Sequence, residues 1–190
     1  MIMKTIKSVT FWIVGVIAVV CLVGVYKFNF INDDIYIDTP SKMTKDVKNL
    51  TYVVNGETFN LVAGIASNEI TPGSATKNTL SIFGEPVYGD LNGDGKNDAV
   101  ILLVNNPGGS GTFYYAVLAM NSNDDKYMPT NTIFLGDRIA PQTVEIHDGV
   151  ALFNYVERKA GEPMTTRPSM GKSLWINYDA KTGQISELKK

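Results

Sequence analysis

The most legible chemistry in this chain lies in nine residues, Asp90-Leu91-Asn92-Gly93-Asp94-Gly95-Lys96-Asn97-Asp98. Oxygen-bearing side chains recur at the first, third and fifth positions, and glycine stands at the sixth. That alternation turns successive side chains toward one centre while the backbone bends sharply at Gly95. Ca²⁺ takes about six to eight hard oxygen ligands in flexible geometry. Asp90, Asn92 and Asp94 are expected to supply three side-chain ligands, the Lys96 carbonyl a fourth, and Asp98 a fifth. Water or a second carboxylate oxygen completes the shell. Three carboxylates this close repel one another unless a cation sits between them. Mg²⁺ suits the pattern less well, because it demands stricter octahedral geometry and keeps its waters. The expected role is structural: the ion locks the loop and fixes where the strand after it begins, at Ala99.

The loop is not an EF-hand. Position 12 of that motif is a bidentate glutamate, and here it is Ile101, inside an apolar run. The pattern instead resembles the D-x-[DN]-x-D-G-x-x-D loops of FG-GAP and integrin-type β-hairpin calcium sites. There the last aspartate leads straight into a strand, as Asp98 leads into Ala99. The likeness covers nine residues in a single copy, so it implies the site and not a propeller. Four stretches, GDLNGDGKND, GGSGTFYY, FLGDRIAPQ and GEPMTTRPSMG, together resemble an uncharacterised family of exported bacterial proteins. That resemblance implies a bacterial, extracytoplasmic domain and transfers no catalytic residue.

Other candidate chemistry is thinner. Residues 105–111, NNPGGSG, lack the lysine and helix of a phosphate loop. Gly171-Lys172-Ser173 has the right ending, but Thr166 stands where the first glycine of G-x-x-x-x-G-K-S belongs, so no nucleotide site is read here. Residues 157–172 form a long proline-braced loop carrying Glu157, Arg158, Glu162 and Arg167. With Arg138 they make either a surface ion-pair network or a pocket for an anionic or peptide ligand. His147 sits before Asp148-Gly149 at an expected hairpin tip. Ser110, Ser169 and Ser173 would all have to share it in any hydrolytic triad.

Composition excludes more than it suggests. The chain has 190 residues, 17 basic and 19 acidic, for a net charge of −2. Lys4, Lys7 and Lys27 flank an N-terminal apolar run without acids, so the body is more acidic than the whole and offers no cationic footprint for nucleic acid. Cys21 is the only cysteine and lies inside that run, so no disulfide can staple the body. His147 is the only histidine, which excludes a zinc site built on several His and Cys.

Residues 9–26, VTFWIVGVIAVVCLVGVY, carry no charge. As a helix they reach about 27 Å, close to the hydrocarbon thickness of a bilayer. Lys4 and Lys7 precede the run, so the N-terminus is expected in the cytoplasm and the C-terminal body outside. An uncleaved signal anchor over residues 9–30 fits best. A lipoprotein acylated at Cys21 has Val20 where a small residue is required, and a cleaved signal peptide lacks well-placed small residues. Residues 1–8 are then a cytoplasmic tail, residues 31–50 a linker with a short helix capped by Ser41, and residues 51–190 an extracytoplasmic β-domain.

Strand-like runs dominate that domain. Asn55-Gly56 marks a hairpin between apolar flanks. Residues 99–104, AVILLV, read as a strand buried on both faces. Further strands are expected at 112–120, 131–135, 143–146, 150–156 and 173–178, with 66–78 turn-rich. The fold class is therefore all-β, an antiparallel sandwich or meander behind one transmembrane helix. The functional expectation is a membrane-anchored extracytoplasmic β-domain with a structural Ca²⁺ site, acting as a binding or envelope-associated module toward an envelope protein or peptide. The alternative is an envelope-acting hydrolase using the carboxylates of the 157–172 loop.

Overall fold

The folded body is organised around one strand, β6, Asp98–Asn106, with sequence DAVILLVNN. The computed structural model describes residues 45–122 and 126–189, so the expected membrane segment lies outside the described residues. Among those residues no helix is long and apolar enough to cross a membrane. All strand pairing is antiparallel, and the described body is all-β, apart from one 3-10 turn.

The expected strand at 99–104 is apolar throughout because it has no solvent face. Side chains alternate across a strand. Val100, Leu102 and Val104 enter one core, while Ala99, Ile101 and Leu103 enter another. Strand β7, Phe113–Asn121, pairs along nearly all of β6 and divides its side chains the same way. Around this pair the central sheet adds β3 (Ile65–Glu69), β4 (Lys77–Ile82), β5 (Val87–Gly89), β8 (Tyr127–Pro129) and β9 (Ile133–Asp137).

A hairpin covers one face. Strands β1, Thr51–Val54, and β2, Glu57–Asn60, meet at Asn55 and Gly56, both with positive φ, the turn that matches strand twist. Tyr52, Val54 and Phe59 pack from it onto Ile101 and Leu103. Upstream, Val47 and Leu50 are 0% exposed in the same core. The folded body therefore starts before residue 51, within a compact unit bounded by Ser41–Lys190, and the last part of the expected linker belongs to it. Of the short helix expected over 41–50, residues 45–50 are described and hold a single 3-10 turn, Val47–Asn49, capped by the Asp46 carboxylate on the Lys48 N–H at 2.9 Å.

Four strands cover the other face: β10 (Ala140–His147), β11 (Val150–Glu157), β12 (Met170–Asp179) and β13 (Gln184–Glu187), in that spatial order. Ala151, Phe153, Leu174, Ile176 and Ile185 point from them into the core that holds Val100 and Leu102. The open edge of β13 is closed by a side chain. Asn131 accepts from the Ile185 N–H at 2.7 Å and donates to the Ile185 carbonyl at 3.1 Å, doing the work of a neighbouring strand.

One stretch departs from expectation. Residues 66–78, expected as turns, contain most of β3 and the start of β4. Their pairing is carried by polar contacts, such as Ser67 to Thr79 at 3.0 Å. No apolar alternation betrays them.

Removing Val47 and Leu50 deletes two fully buried side chains, each worth about 1.5–3 kcal/mol. Urea unfolding of residues 41–190 and 51–190 is expected to show a clearly lower midpoint for the shorter fragment.

Candidate metal centre

The nine-residue loop connects β5 to β6. Gly93 and Gly95 hold φ of +79° and +80°, a region open to glycine at little cost. These two positions let the loop fold back on its first residue. Asp90 Oδ1 accepts from the N–H groups of Gly93 at 2.7 Å and Asn92 at 3.2 Å, and Oδ2 accepts from Gly95 at 2.9 Å. The Gly95 amide leads in holding the Asp90 carboxyl below the usual carboxylate range. Asn92 Oδ1 accepts from the Asp94 N–H at 2.9 Å, and Asp94 Oδ1 accepts from the Lys96 N–H at 2.9 Å. The Asn92 amide also donates to Asp94 Oδ2 at 3.3 Å.

Asp98 stands apart from the other acids. It is 0% exposed, and both its oxygens face backbone. Oδ2 accepts from the Leu91 N–H at 3.0 Å and Oδ1 from the Asn121 N–H at 2.8 Å. Burial raises its carboxyl above the ordinary range. The two amides oppose that rise, and the charges of Asp94 and Asp90 add to it. Asp98 is thus a latch that joins the start of the loop to the end of β7. Two further contacts reinforce the latch: the Asn97 carbonyl accepts from Asn121 Nδ2 at 3.1 Å and from the Tyr127 hydroxyl at 3.2 Å. The β10–β11 turn also reaches the loop, since a Cβ on Gly149 would lie 3.8 Å from the Asp90 and Leu91 carbonyl oxygens. The partners Asn121, Tyr127 and Gly149 are not legible in the sequence, because each lies far along the chain.

The donors in the loop are all oxygen, which fits a hard cation rather than zinc. A carboxylate oxygen has about two acceptor positions, so an oxygen holding one N–H retains room for a metal. Among the described residues, no group of three or more His, Cys, Asp or Glu is arranged to hold a metal ion. The structure gathers Asp90, Asn92 and Asp94 into one half-buried to exposed turn, with Lys96 contributing its N–H, and directs Asp98 into the sheet.

The second candidate, the 157–172 loop, resolves into separate structural contacts. Glu157 pairs with Lys172 at 3.4 Å, and Glu162 accepts from the Lys159 N–H at 3.0 Å. Arg158 donates to the carbonyls of Thr166, Asp137 and Arg138 at 2.6, 3.3 and 3.2 Å, tying the loop to the β9–β10 corner. There Arg138, at φ +50°, donates through Nη2 to Asp137 Oδ2 at 2.7 Å. His147 pairs with Glu145 at 2.8 Å and its ring lies 5.7 Å from that of Trp175, while Ser173 donates to Asn154. Glu157, Glu162, His147 and Ser173 thus each have a separate partner, and these contacts do not gather the four into one cluster.

No family model, curated protein or solved structure matches the chain.

Two outcomes are expected. Asp98→Ala orphans two amides, each costing about 1–3 kcal/mol, and does so without added Ca²⁺, as chemical unfolding in chelator will read. The Arg138 guanidinium is the main cause that holds the Asp137 carboxyl below its usual range. That pair therefore stabilises the fold above about pH 4 and fades as pH falls through the lowered value. Asp137→Asn is expected to flatten the acid side of the stability curve between pH 7 and pH 3.

Proposed function

We propose that this protein is a membrane-anchored, extracytoplasmic β-sandwich domain whose acidic loop holds a structural Ca²⁺, and that it serves as a binding or envelope-associated module. The observation that carries the calcium reading is the folding of the loop's own N–H groups onto Asp90, Asn92 and Asp94. Those contacts hold three oxygen-bearing side chains in one turn. The ion would relieve the repulsion between the Asp90 and Asp94 carboxylates and stiffen the approach to β6. Asp90, Asn92, Asp94 and the Lys96 carbonyl are the ligands of this reading, and Asp98 serves it chiefly as the latch to β7. The anchor is residues 9–30, built on the uncharged run 9–26, with Lys4 and Lys7 on the cytoplasmic side. Export supports a weak site, since extracellular modules bind Ca²⁺ at about 10⁻⁴ to 10⁻³ M.

At 10 mM Ca²⁺ such a site stabilises the folded state by about 1.4–2.7 kcal/mol. Calorimetry of the full chain is expected to show a higher melting temperature with Ca²⁺ and no such rise for Asp94→Ala. An unchanged melting temperature in the parent would remove the metal from this reading. Alkaline washing of membranes tests the anchor separately: the chain is expected to stay with the bilayer, and Cys21→Ser to behave alike. Release of that variant would favour lipid attachment at Cys21 instead.

A further inference from the structure

The sheet β10–β13 has one face on the core and one face outside it. Side chains alternate across a strand. With Ala151, Phe153, Leu174 and Ile176 turned inward, Leu152, Asn154, Ser173 and Trp175 take the outer face. Register sets Glu145, Leu152 and Trp175 in one row, and Thr143, Asn154 and Ser173 in the next. Leu152 is 7% exposed yet belongs to neither core, so its cover comes from its own face. Strands β10 and β12 lie about 9–10 Å apart across β11, whereas the rings of His147 and Trp175 are 5.7 Å apart. The two rings therefore lean toward each other over β11, and the indole makes an apolar step along the sheet.

The neighbouring row is polar and bonded end to end. Ser173 donates to Asn154 Oδ1 at 2.6 Å, Asn154 donates to Thr143 Oγ1 at 2.9 Å, and Thr143 donates to Glu145 Oε1 at 2.6 Å. Glu145 Oε2 meets His147 Nε2 at 2.8 Å. A hydroxyl oxygen carries two acceptor positions. Among the described residues, Ser173 keeps both for an outside donor and Thr143 keeps one. The Glu145 side chain is 41% exposed and has room as well. A run of acceptors thus stands beside an aromatic ring, and their mutual bonds lower the ordering cost of binding.

Size and chemistry select the occupant. Strand spacing of about 4.8 Å and same-face spacing of about 7 Å give the patch roughly 300 Å². A standard protein interface takes about 800 Å² from each partner, so the patch is too small for one. An added peptide strand pairs with a sheet edge, not with its face. The patch suits a short run of pyranose rings. A ring with equatorial hydroxyls presents a face of weakly positive C–H bonds to the negative face of an indole, while its hydroxyls donate at the rim.

We propose that the outer face of β10–β12 binds a neutral oligosaccharide of equatorially substituted pyranose rings, with one ring on Trp175 and its hydroxyls donating to Ser173, Thr143 and Glu145. This rests on the binding-module reading only in naming that module's ligand, and it needs neither the calcium site nor the anchor. Cellotriose is titrated against the full-length protein in a detergent without a sugar headgroup, by saturation-transfer NMR and tryptophan fluorescence. Trp12→Phe leaves Trp175 as the only tryptophan emitter. Saturable binding is expected in Ca²⁺ and in chelator alike, so a failed calcium reading leaves this result readable. Sorbitol has the hydroxyls without a ring face and is expected to bind at least tenfold more weakly. Trp175→Ala is expected to abolish binding. Ser173→Leu, at an exposed position, removes an acceptor and covers the polar row, and it serves if the first variant lowers the melting temperature. The proposal is overturned if cellotriose does not saturate, if sorbitol matches it, or if either variant, folded, binds as the parent does.

Discussion

A strand with both faces buried has to be covered twice, and in this protein that demand falls on β6. Ala99, Ile101 and Leu103 need one cover, while Val100, Leu102 and Val104 need another. The hairpin β1–β2 with Val47 and Leu50 supplies the first, and the sheet β10–β13 supplies the second. Each cover buries side chains worth about 1.5–3 kcal/mol apiece when fully enclosed. With no cysteine in the described body, this burial is the main source of stability.

The acidic loop belongs to the same arrangement. Asp98 is the first residue of β6, and its carboxylate bridges Leu91 in the loop and Asn121 at the end of β7. A buried carboxylate is costly unless its oxygens are bonded, and here each oxygen has an amide. The loop is therefore seated by its last residue and shaped by its first, since Asp90 collects the amides of Asn92, Gly93 and Gly95. At the far corner of the molecule Arg158 plays a comparable part, joining the Thr166 carbonyl of a long proline-braced loop to the carbonyls of Asp137 and Arg138.

Legibility followed the range of the interactions. The two positive-φ turns at Asn55-Gly56 and Asp148-Gly149 could be read from neighbouring residues, because the turn type is a local backbone requirement. The run at 99–104 could be read as doubly buried, because its apolar character is unbroken. Strand β3 could not: its pattern, IASNE, is mostly polar, and it is held by its partner β4 rather than by a core of its own. The start of the domain is hidden in the sequence for a related reason. Val47 and Leu50 are isolated apolar residues in a polar stretch, and only their place against Tyr52 and Phe59 makes them core.

By itself, then, the sequence determined the strand-rich character, the uncharged run at residues 9–26, the absence of disulfides from the body and the alternating oxygens of the acidic loop. These are local in the chain, and period, charge and spacing record them. Tertiary structure alone decided that Asp98 turns inward to β7, that Asn131 closes the β13 edge, and that Trp175 meets His147 over β11. Each of those depends on residues brought together from more than 20 positions apart, with Ile185 and Asn131 separated by 54. No local pattern carries that information, because the partner of a hydrogen bond or of a ring is set by packing.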